Sequence, residues 1–148
     1  GEEREALQKK IEKVGLRERI MLPGVTQHTT VELSKADLFI HTARYEGFPN
    51  AIVEALTAGL CVAATDCPGA TREILGDGRF GRLLPDGNSN EIAPLLLELM
   101  HSESIRARYS ASSKEAIANL SPQMIASQWL SHAEQARRSR TKTREQWK

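Results

Sequence analysis

The sequence predicts an α/β fold in which a parallel β-sheet carries helices on both faces. Apolar runs at Asp37–His41 and Cys61–Thr65 have the length and composition of strands that are buried on both faces. Each run is followed by a glycine-containing turn and then by a helical segment. Strands that alternate with helices in this way form parallel sheets with right-handed crossovers.

The other elements are expected to continue this alternation. Leu7, Ile11 and Val14 share one face of an amphipathic helix, and Gly59 is placed to end the helix before Cys61. The predicted helices are Glu2–Val14, Thr30–Lys35, Ala51–Ala58, Ala70–Leu75, Ser89 or Asn90 to Met100, Ser104–Asn119 and Pro122–Ala136. The predicted strands are Ile20–Leu22, Asp37–His41, Cys61–Thr65 and Arg82–Leu84.

Length and composition restrict the function. The 148 residues suffice for one domain, and 40% hydrophobic and 26% charged residues are ordinary for a soluble globular chain. Aromatic residues make up only 5%, which argues against a base-stacking surface for nucleic acid. No apolar run approaches the roughly 20 residues that span a bilayer, and the charged N-terminal segment does not have the pattern of a secretory signal.

The cysteines and histidines do not form a metal-binding pattern. Cys61 and Cys67 lack metal-ligand spacing, and none of the 4 histidines pairs with another at the spacing of a zinc site. We therefore expect no metal and no cofactor. Cys61 opens a buried strand and is expected to be a small core residue, and reduced thiols favour a cytoplasmic location. His41 ends a strand and is placed to face a pocket.

The strongest functional signal is a pair of glutamates eight residues apart, Glu46 and Glu54. Pro49 restrains its own φ and Asn50 has the chemistry of an N-cap, so Glu46 is predicted on a strand-to-helix loop and Glu54 in the first turns of the helix. In open α/β sheets, ligands bind where such loops gather, at the carboxyl ends of the strands. A helix that begins there presents free N–H groups to anions.

This arrangement suits a nucleotide that carries a sugar. A carboxylate on a largely buried helix needs hydrogen-bond donors, and a ribose diol would supply two of them to Glu54. Glu46 is placed to accept from hydroxyls of a second sugar, and the amides from Gly47 to Asn50 are placed to hold the oxygens between the two. A simpler alternative is that both glutamates only complement the helix dipole.

With its context, the segment resembles the Glu-x7-Glu signature of retaining GT-B glycosyltransferases of the family 4 type, the glycosyl transferases group 1. The resemblance runs from about Gly1 to Trp129. It also includes Val62–Asp66, Pro68-Gly69 with Glu73, and Gly81–Pro85. It implies a Rossmann-like, incomplete C-terminal half of a GT-B fold with a helical C-terminal extension. Residues 1–136 would form a partial nucleotide-sugar-binding domain.

The resemblance also implies the reaction and the roles of residues. The expected activity is transfer of a sugar from a nucleotide sugar, preferably a UDP-hexose, with retention and without a metal. Glu46 would be the catalytic residue beside the donor sugar, and Glu54 would bind the ribose. The implied donor-binding residues are Gly47, Phe48, Pro49, Asn50, Glu54 and, against the base, Val25. Asp66 is expected to cap its loop and Glu73 to order Cys67–Thr71.

Several parts that the family possesses do not occur in this sequence. Two strands, an Arg/Lys loop that clamps the diphosphate, and an N-terminal acceptor-binding domain would all precede Ile20–Leu22. The missing strands are central in a Rossmann order, so their absence would leave a gap of roughly 10 Å beside Asp37–His41. There are three alternatives: another chain fills the gap, the strands close up, or the chain is a piece of a larger protein. We favour the last, and expect such a piece to be inactive alone.

The C-terminal segment is expected to behave differently from the domain. Residues 137–148 contain six Lys or Arg and one Glu, and are predicted to be a basic, disordered tail. Such a segment allows peripheral contact with anionic lipid, whereas no nucleic-acid partner is expected.

A second function, from another class, remains open. A non-catalytic nucleotide-sugar-binding or regulatory half-domain would keep Glu46 and Glu54 without the phosphate clamp. A plain flavodoxin-like module is less well supported, because no phosphate loop follows a first strand.

Overall fold

A computed structural model describes residues 2–145 of the chain, apart from the side chains of residues 119 and 138–145. The strands are β1 (Leu38–His41), β2 (Cys61–Thr65) and β3 (Arg82–Leu84). The helices are α1 (Arg4–Lys13), α2 (Thr29–Leu33), α3 (Asn50–Thr57), α4 (Thr71–Ile74), α5 (Ser89–His101), α6 (Glu103–Ile117) and α7 (Pro122–Glu145). Short 3-10 turns lie at Gly76–Gly78 and Ala118–Leu120.

The three strands form one parallel sheet in the order β1-β2-β3. Leu38 of β1 lies opposite Cys61, and Thr65 of β2 lies opposite Leu84 of β3. All five residues of β2 are buried, as expected for a central parallel strand with helices on both faces. The parallel α/β sheet that the alternation of strands and helices predicts is therefore confirmed.

Alternate residues of β2 face two separate hydrophobic clusters, because successive side chains of a strand point to opposite faces. Val62 and Ala64 pack with Ile52 and Leu56 of α3 and with Leu75. On the other face, the second cluster comprises Cys61, Ala63, Leu84, Leu99 and Tyr109, which places α5 and α6 there. The sheet is thus covered on both faces at β2.

The ends of α3 show where local sequence decides the structure and where it does not. Gly59 adopts a φ of 79°, and Leu60 N–H donates to the carbonyl of Ala55 at 3.0 Å, which is the Schellman ending expected from a glycine at this place. The N-terminal end differs from the prediction. Asn50 is the first helical residue rather than the N-cap, Pro49 occupies the cap position, and no side chain caps the helix.

The predicted strand Ile20–Leu22 is wrong. These residues are not in a regular element, and Met21 is 83% exposed. An extended segment becomes a strand only when a neighbouring strand satisfies its backbone groups, and no strand of the described sheet lies beside it. Instead, Arg4 of α1 donates to the carbonyl of Leu22. The expected gap within the sheet therefore does not exist in this structure.

α7 continues to Glu145, beyond the predicted end at Ala136 and into the segment for which disorder is predicted. Residues 146–148 lie outside the described residues. The first turns of α7 leave Met124, Trp129 and Leu130 exposed. Within the described part of the chain, no helix combines the length and the apolar character needed to cross a membrane.

The packing of α5 against one face of the sheet predicts which of its residues tolerate substitution. Leu99 is completely buried, whereas Leu97 of the same helix is 49% exposed. Leu99→Ala should lower the free energy of unfolding by about 2–5 kcal/mol through lost burial and a cavity. Urea denaturation followed by circular dichroism measures this change. Leu97→Ala is the control and should change stability by less than about 0.5 kcal/mol. Equal losses in the two variants would contradict the placement of α5.

Candidate functional site

Two loops meet at the carboxyl edge of the sheet, where β1 and β2 end side by side. The loop after β1 carries Glu46, and the loop after β2 carries Pro68 and Gly69. Glu46 N–H donates to the carbonyl of Pro68 at 3.4 Å, and Ala70 N–H donates to the carbonyl of Gly47 at 3.3 Å. The hydroxyl of buried Thr65 donates to the carbonyl of Ala43. These bonds fix the loop that carries Glu46 to the end of β2.

The contact is so close that one position requires glycine. Gly69 has a φ of 132°, and a Cβ built there would lie 1.7 Å from the carbonyl oxygen of Glu46. No side chain fits against the Glu46–Gly47 peptide at that distance. The Pro-Gly pair in the sequence signals a turn, but only the tertiary structure shows that Gly69 supports the loop of Glu46.

The carboxylate of Glu46 lies beside the imidazole of His41, the last residue of β1. Nε2 of His41 is 3.2 Å from Oε1 of Glu46, and the two side chains are 17% and 29% exposed. The ring of His41 is stacked on that of Phe39, with centroids 6.3 Å apart and an interplanar angle of 25°. His41 therefore belongs to the site, as the end of its strand suggests, and Glu46 is its partner.

The backbone amides of this loop are not equivalent. Asn50 N–H donates to the carbonyl of Phe48 at 3.0 Å, across an inverse γ-turn at Pro49 with φ −81° and ψ 81°. Within the described residues, the N–H groups of Gly47 and Phe48 donate to no acceptor. Gly47 and Phe48 therefore keep amides for an anion, whereas the amide of Asn50 is occupied. Pro49 is buried and shapes the turn.

Glu54 lies in the second turn of α3 and is exposed. The helix is less completely buried than the sequence suggests, because Ala51, Glu54 and Thr57 lie on an open face, while Ile52, Ala55 and Leu56 are buried. Among the described residues, the carboxylate of Glu54 has no hydrogen-bond or ion-pair partner. Both of its oxygens are thus available to a ligand.

Val25 is not brought to this site by any described contact. Its side chain is 99% exposed, and the contacts around it join the preceding residues to Arg4 of α1. The expected contact of Val25 with a base stays a prediction.

A cluster of charges organises the loop after β2, and its central residue was not anticipated from the sequence. Arg72 donates to both oxygens of Asp66, with Nε at 3.1 Å from Oδ1, and to Asp77 at 3.2 Å. The hydrogen bonds that Arg72 donates to Asp66 raise the pKa of Arg72 above its ordinary value. Arg72, rather than Glu73, makes the contact that holds this loop. The six-residue spacing of Asp66 and Arg72 around a Pro-Gly turn is the sequence signal that could have found it.

A cavity of about 460 Å³ lies beside Phe48 but does not include the two glutamates of the motif. Glu73, Arg79, Phe80 and Glu115 line it, and Arg79 is paired with Glu115 at 2.5 Å. The paired charges leave little reason to assign a ligand to this cavity. The candidate site is instead the loop of Glu46 with its free amides, together with the exposed Glu54 of the helix that follows.

The described residues hold neither a cluster suited to a metal ion nor an ionised thiol at Cys61. Among residues 2–145, no three side chains of His, Cys, Asp or Glu are grouped so that they could share a metal ion. Burial raises the pKa of the Cys61 thiol to about 11, so this thiol stays protonated and serves as a core residue. Cys67 is also buried, with its sulfur 3.9 Å from the hydroxyl of Thr71. Metal-independent chemistry stays a prediction.

Several curated proteins with similar sequences are glycosyltransferases. The chain is 32% identical over 110 residues to poly(glycerol-phosphate) alpha-glucosyltransferase of Bacillus subtilis, which covers 74% of the chain and 16% of that protein. It is 39% identical over 83 residues to phosphatidyl-myo-inositol mannosyltransferase of Mycobacterium leprae, covering 56% of the chain and 22% of that protein. The chain thus spans about a fifth of the length of these relatives.

Solved structures of GT-B glycosyltransferases share the fold. A point mutant of S. aureus TarM, in complex with fondaparinux, alpha-GlcNAc-glycerol and UDP, superposes with a TM-score of 0.79 at 26% identity. The match covers 87% of this chain and 26% of that one. HepE from Anabaena in complex with UDP gives a TM-score of 0.69 at 25% identity, covering 86% of this chain and 36% of that one.

The family itself follows from a match over most of the chain. The described sheet, the motif helix and the glycine-supported loop all lie within residues 1–116, the part that the family model matches. The chain therefore belongs to the family described as glycosyl transferases group 1.

Proposed function

We propose that this chain forms the donor-binding part of a retaining glycosyltransferase that uses a UDP-hexose. The observation that carries the proposal is the loop of Glu46, fixed against Gly69, next to a helix that exposes Glu54. Family membership supports glycosyl transfer, and the UDP that is bound to TarM and HepE supports the choice of nucleotide.

In this proposal Glu54 binds the ribose. Its carboxylate is exposed and has acceptor positions for two hydroxyl donors. α3 is held at both ends, by the turn at Pro49 and by the ending at Gly59, so the carboxylate sits on a rigid element. A rigid support is what a binding residue requires.

Glu46 acts at the sugar end of the donor. The free N–H groups of Gly47 and Phe48 follow it directly and are suited to the oxygens of the diphosphate. When the bond between the sugar and the diphosphate breaks, positive charge develops on the sugar and negative charge on the leaving group. The carboxylate and the amides lie on one loop and can stabilise both charges.

The proposal assigns the remaining tasks to parts of the complete protein outside this chain. These parts would include the cations that compensate the diphosphate and the domain that binds the acceptor and excludes water. The chain matches only about a fifth of the length of these two relatives, so the relatives are long enough to contain such parts.

We also propose that the protein works at the cytoplasmic surface of a membrane, without a metal. One relative, the mannosyltransferase of Mycobacterium leprae, is named for the lipid phosphatidyl-myo-inositol, and we infer a lipid acceptor for this protein too. Peripheral contact through the basic residues after Ala136 would bring such an acceptor near the site.

The role of Glu54 can be tested by measuring nucleotide affinity, without an assay of sugar transfer. Glu54→Gln in the complete protein removes the charge and part of the acceptor capacity, so UDP binding should weaken by roughly 1–3 kcal/mol. Titration calorimetry with UDP, GDP and ADP measures this loss and identifies the base. Glu18→Gln is the control, because it removes the same charge from an exposed residue outside the motif. Unchanged affinity for every nucleotide that binds would rule out Glu54 as the ribose ligand.

Glu46 should behave differently, because its stabilisation is confined to the sugar end. Glu46→Gln should lower kcat by roughly 100-fold while UDP affinity changes by less than about three-fold. Transfer from UDP-glucose and other UDP-hexoses, measured beside UDP calorimetry, separates the two effects. If kcat and affinity fell by the same factor, Glu46 would be a nucleotide ligand and the proposed division of roles would fail.

The support from Gly69 is also testable. Gly69→Ala introduces a Cβ at 1.7 Å from a backbone oxygen, so the loop of Glu46 must move. Displacement of about 1 Å can cost roughly 100-fold in rate, and we expect kcat to fall by that order. Gly87→Ala is the control, since its Cβ would meet only the flexible carboxylate of Glu91. Full activity of Gly69→Ala would show that the contact is not needed for transfer.

A further inference from the structure

His41 has the contacts of a residue that fixes the orientation of Glu46. Its Nε2 lies 3.2 Å from Oε1 of the carboxylate, and the imidazole is only 17% exposed. Its backbone is paired with Ala64 in the sheet, and its ring is stacked on that of Phe39. A donor held both by a strand and by a neighbouring ring has little freedom to move away from the carboxylate.

The surroundings of the second ring nitrogen show which atom of His41 makes this contact. Nδ1 is buried and has no hydrogen-bond partner among the described residues. Nε2 is therefore the nitrogen that bonds to Glu46. A carboxylate oxygen accepts, so Nε2 carries the proton of this contact and is the donor.

The contact with His41 uses one oxygen of the carboxylate. Oε1 of Glu46 accepts from His41, while Oε2 is left for a substrate. Among the described residues, no Lys or Arg is paired with Glu46. The pair therefore orients a carboxylate that keeps one oxygen open to a ligand.

We propose that His41 is a positioning residue for glycosyl transfer, acting through Glu46. This proposal rests on the proposed function, in which Glu46 faces the donor sugar. Nε2–H of His41 holds Oε1, so that the charged carboxylate stands ready where positive charge develops on the sugar. His41 exchanges no proton and does not touch the nucleotide. A preorganised charge of this kind stabilises a transition state more than a ground state.

The test compares His41→Leu with His41→Gln in the complete protein. Leucine keeps apolar contact with Phe39 but cannot donate, whereas glutamine can place an amide N–H near the position of Nε2. His41→Leu should lower kcat by about ten-fold, the factor for one lost hydrogen bond, with donor KM and UDP affinity changed by less than about two-fold. His41→Gln should recover most of kcat. His101→Leu makes the same substitution at an exposed residue of α5 and should leave kcat unchanged.

A double-mutant cycle separates positioning from a general structural effect. In the background of Glu46→Gln, His41→Leu should lower kcat no further, because its action passes through the carboxylate. Additive losses, or equal losses of kcat and UDP affinity, would overturn the positioning role, as would failure of His41→Gln to exceed His41→Leu. If the wild-type protein transfers sugar and His41→Leu has the same kcat, this inference alone is overturned. A wild-type protein that transfers no sugar from any donor would overturn the proposed function first.

Discussion

β2 is the element on which the rest of the structure depends. Within residues 2–145 it is the strand that pairs along both edges, and all five of its residues are buried. Such a strand must satisfy its backbone within the sheet and present apolar side chains to both faces. Small residues at Cys61, Ala63 and Ala64 allow helices to approach from both sides. The two clusters, and the positions of α3, α5 and α6, follow from that requirement.

The candidate site is a consequence of how β1 and β2 end. Parallel strands deliver their following loops to one edge, so the loops of Glu46 and Gly69 come together without any attraction between their side chains. Backbone hydrogen bonds and the absence of a side chain at Gly69 then lock them. The charged side chain of Glu46 therefore lies on a loop that backbone contacts already hold in place. This order of causes explains why Gly69 and the buried Thr65, neither of which carries charge, bear on the geometry of Glu46.

The N-terminal part of the described chain is attached much less firmly than the sheet. Between residues 2 and 36, Ile11 is the buried side chain, and β1 has no strand beside its outer edge within the described residues. Residues 20–22 have strand-like composition but remain irregular, because a strand is a property of a pair. Ile40 of β1 is also 42% exposed. The composition of residues 20–22 favours a strand, but the lack of a neighbouring strand decides that they stay irregular.

The sequence by itself determined the elements whose signals are local. The apolar run of β2, the glycine ending of α3 and the spacing of Glu46 and Glu54 could all be predicted, because each depends on neighbouring residues. The tertiary structure alone decided the partners: Gly69 against Glu46, Arg72 with Asp66 and Asp77, and His41 beside Glu46. It also decided that the amide of Asn50 is occupied and that Glu54 is exposed. Such contacts join residues that are distant in sequence or depend on the exact path of a loop. Hydrogen bonds and close approach depend on distances of a few tenths of an ångström, which residue types and spacing do not specify.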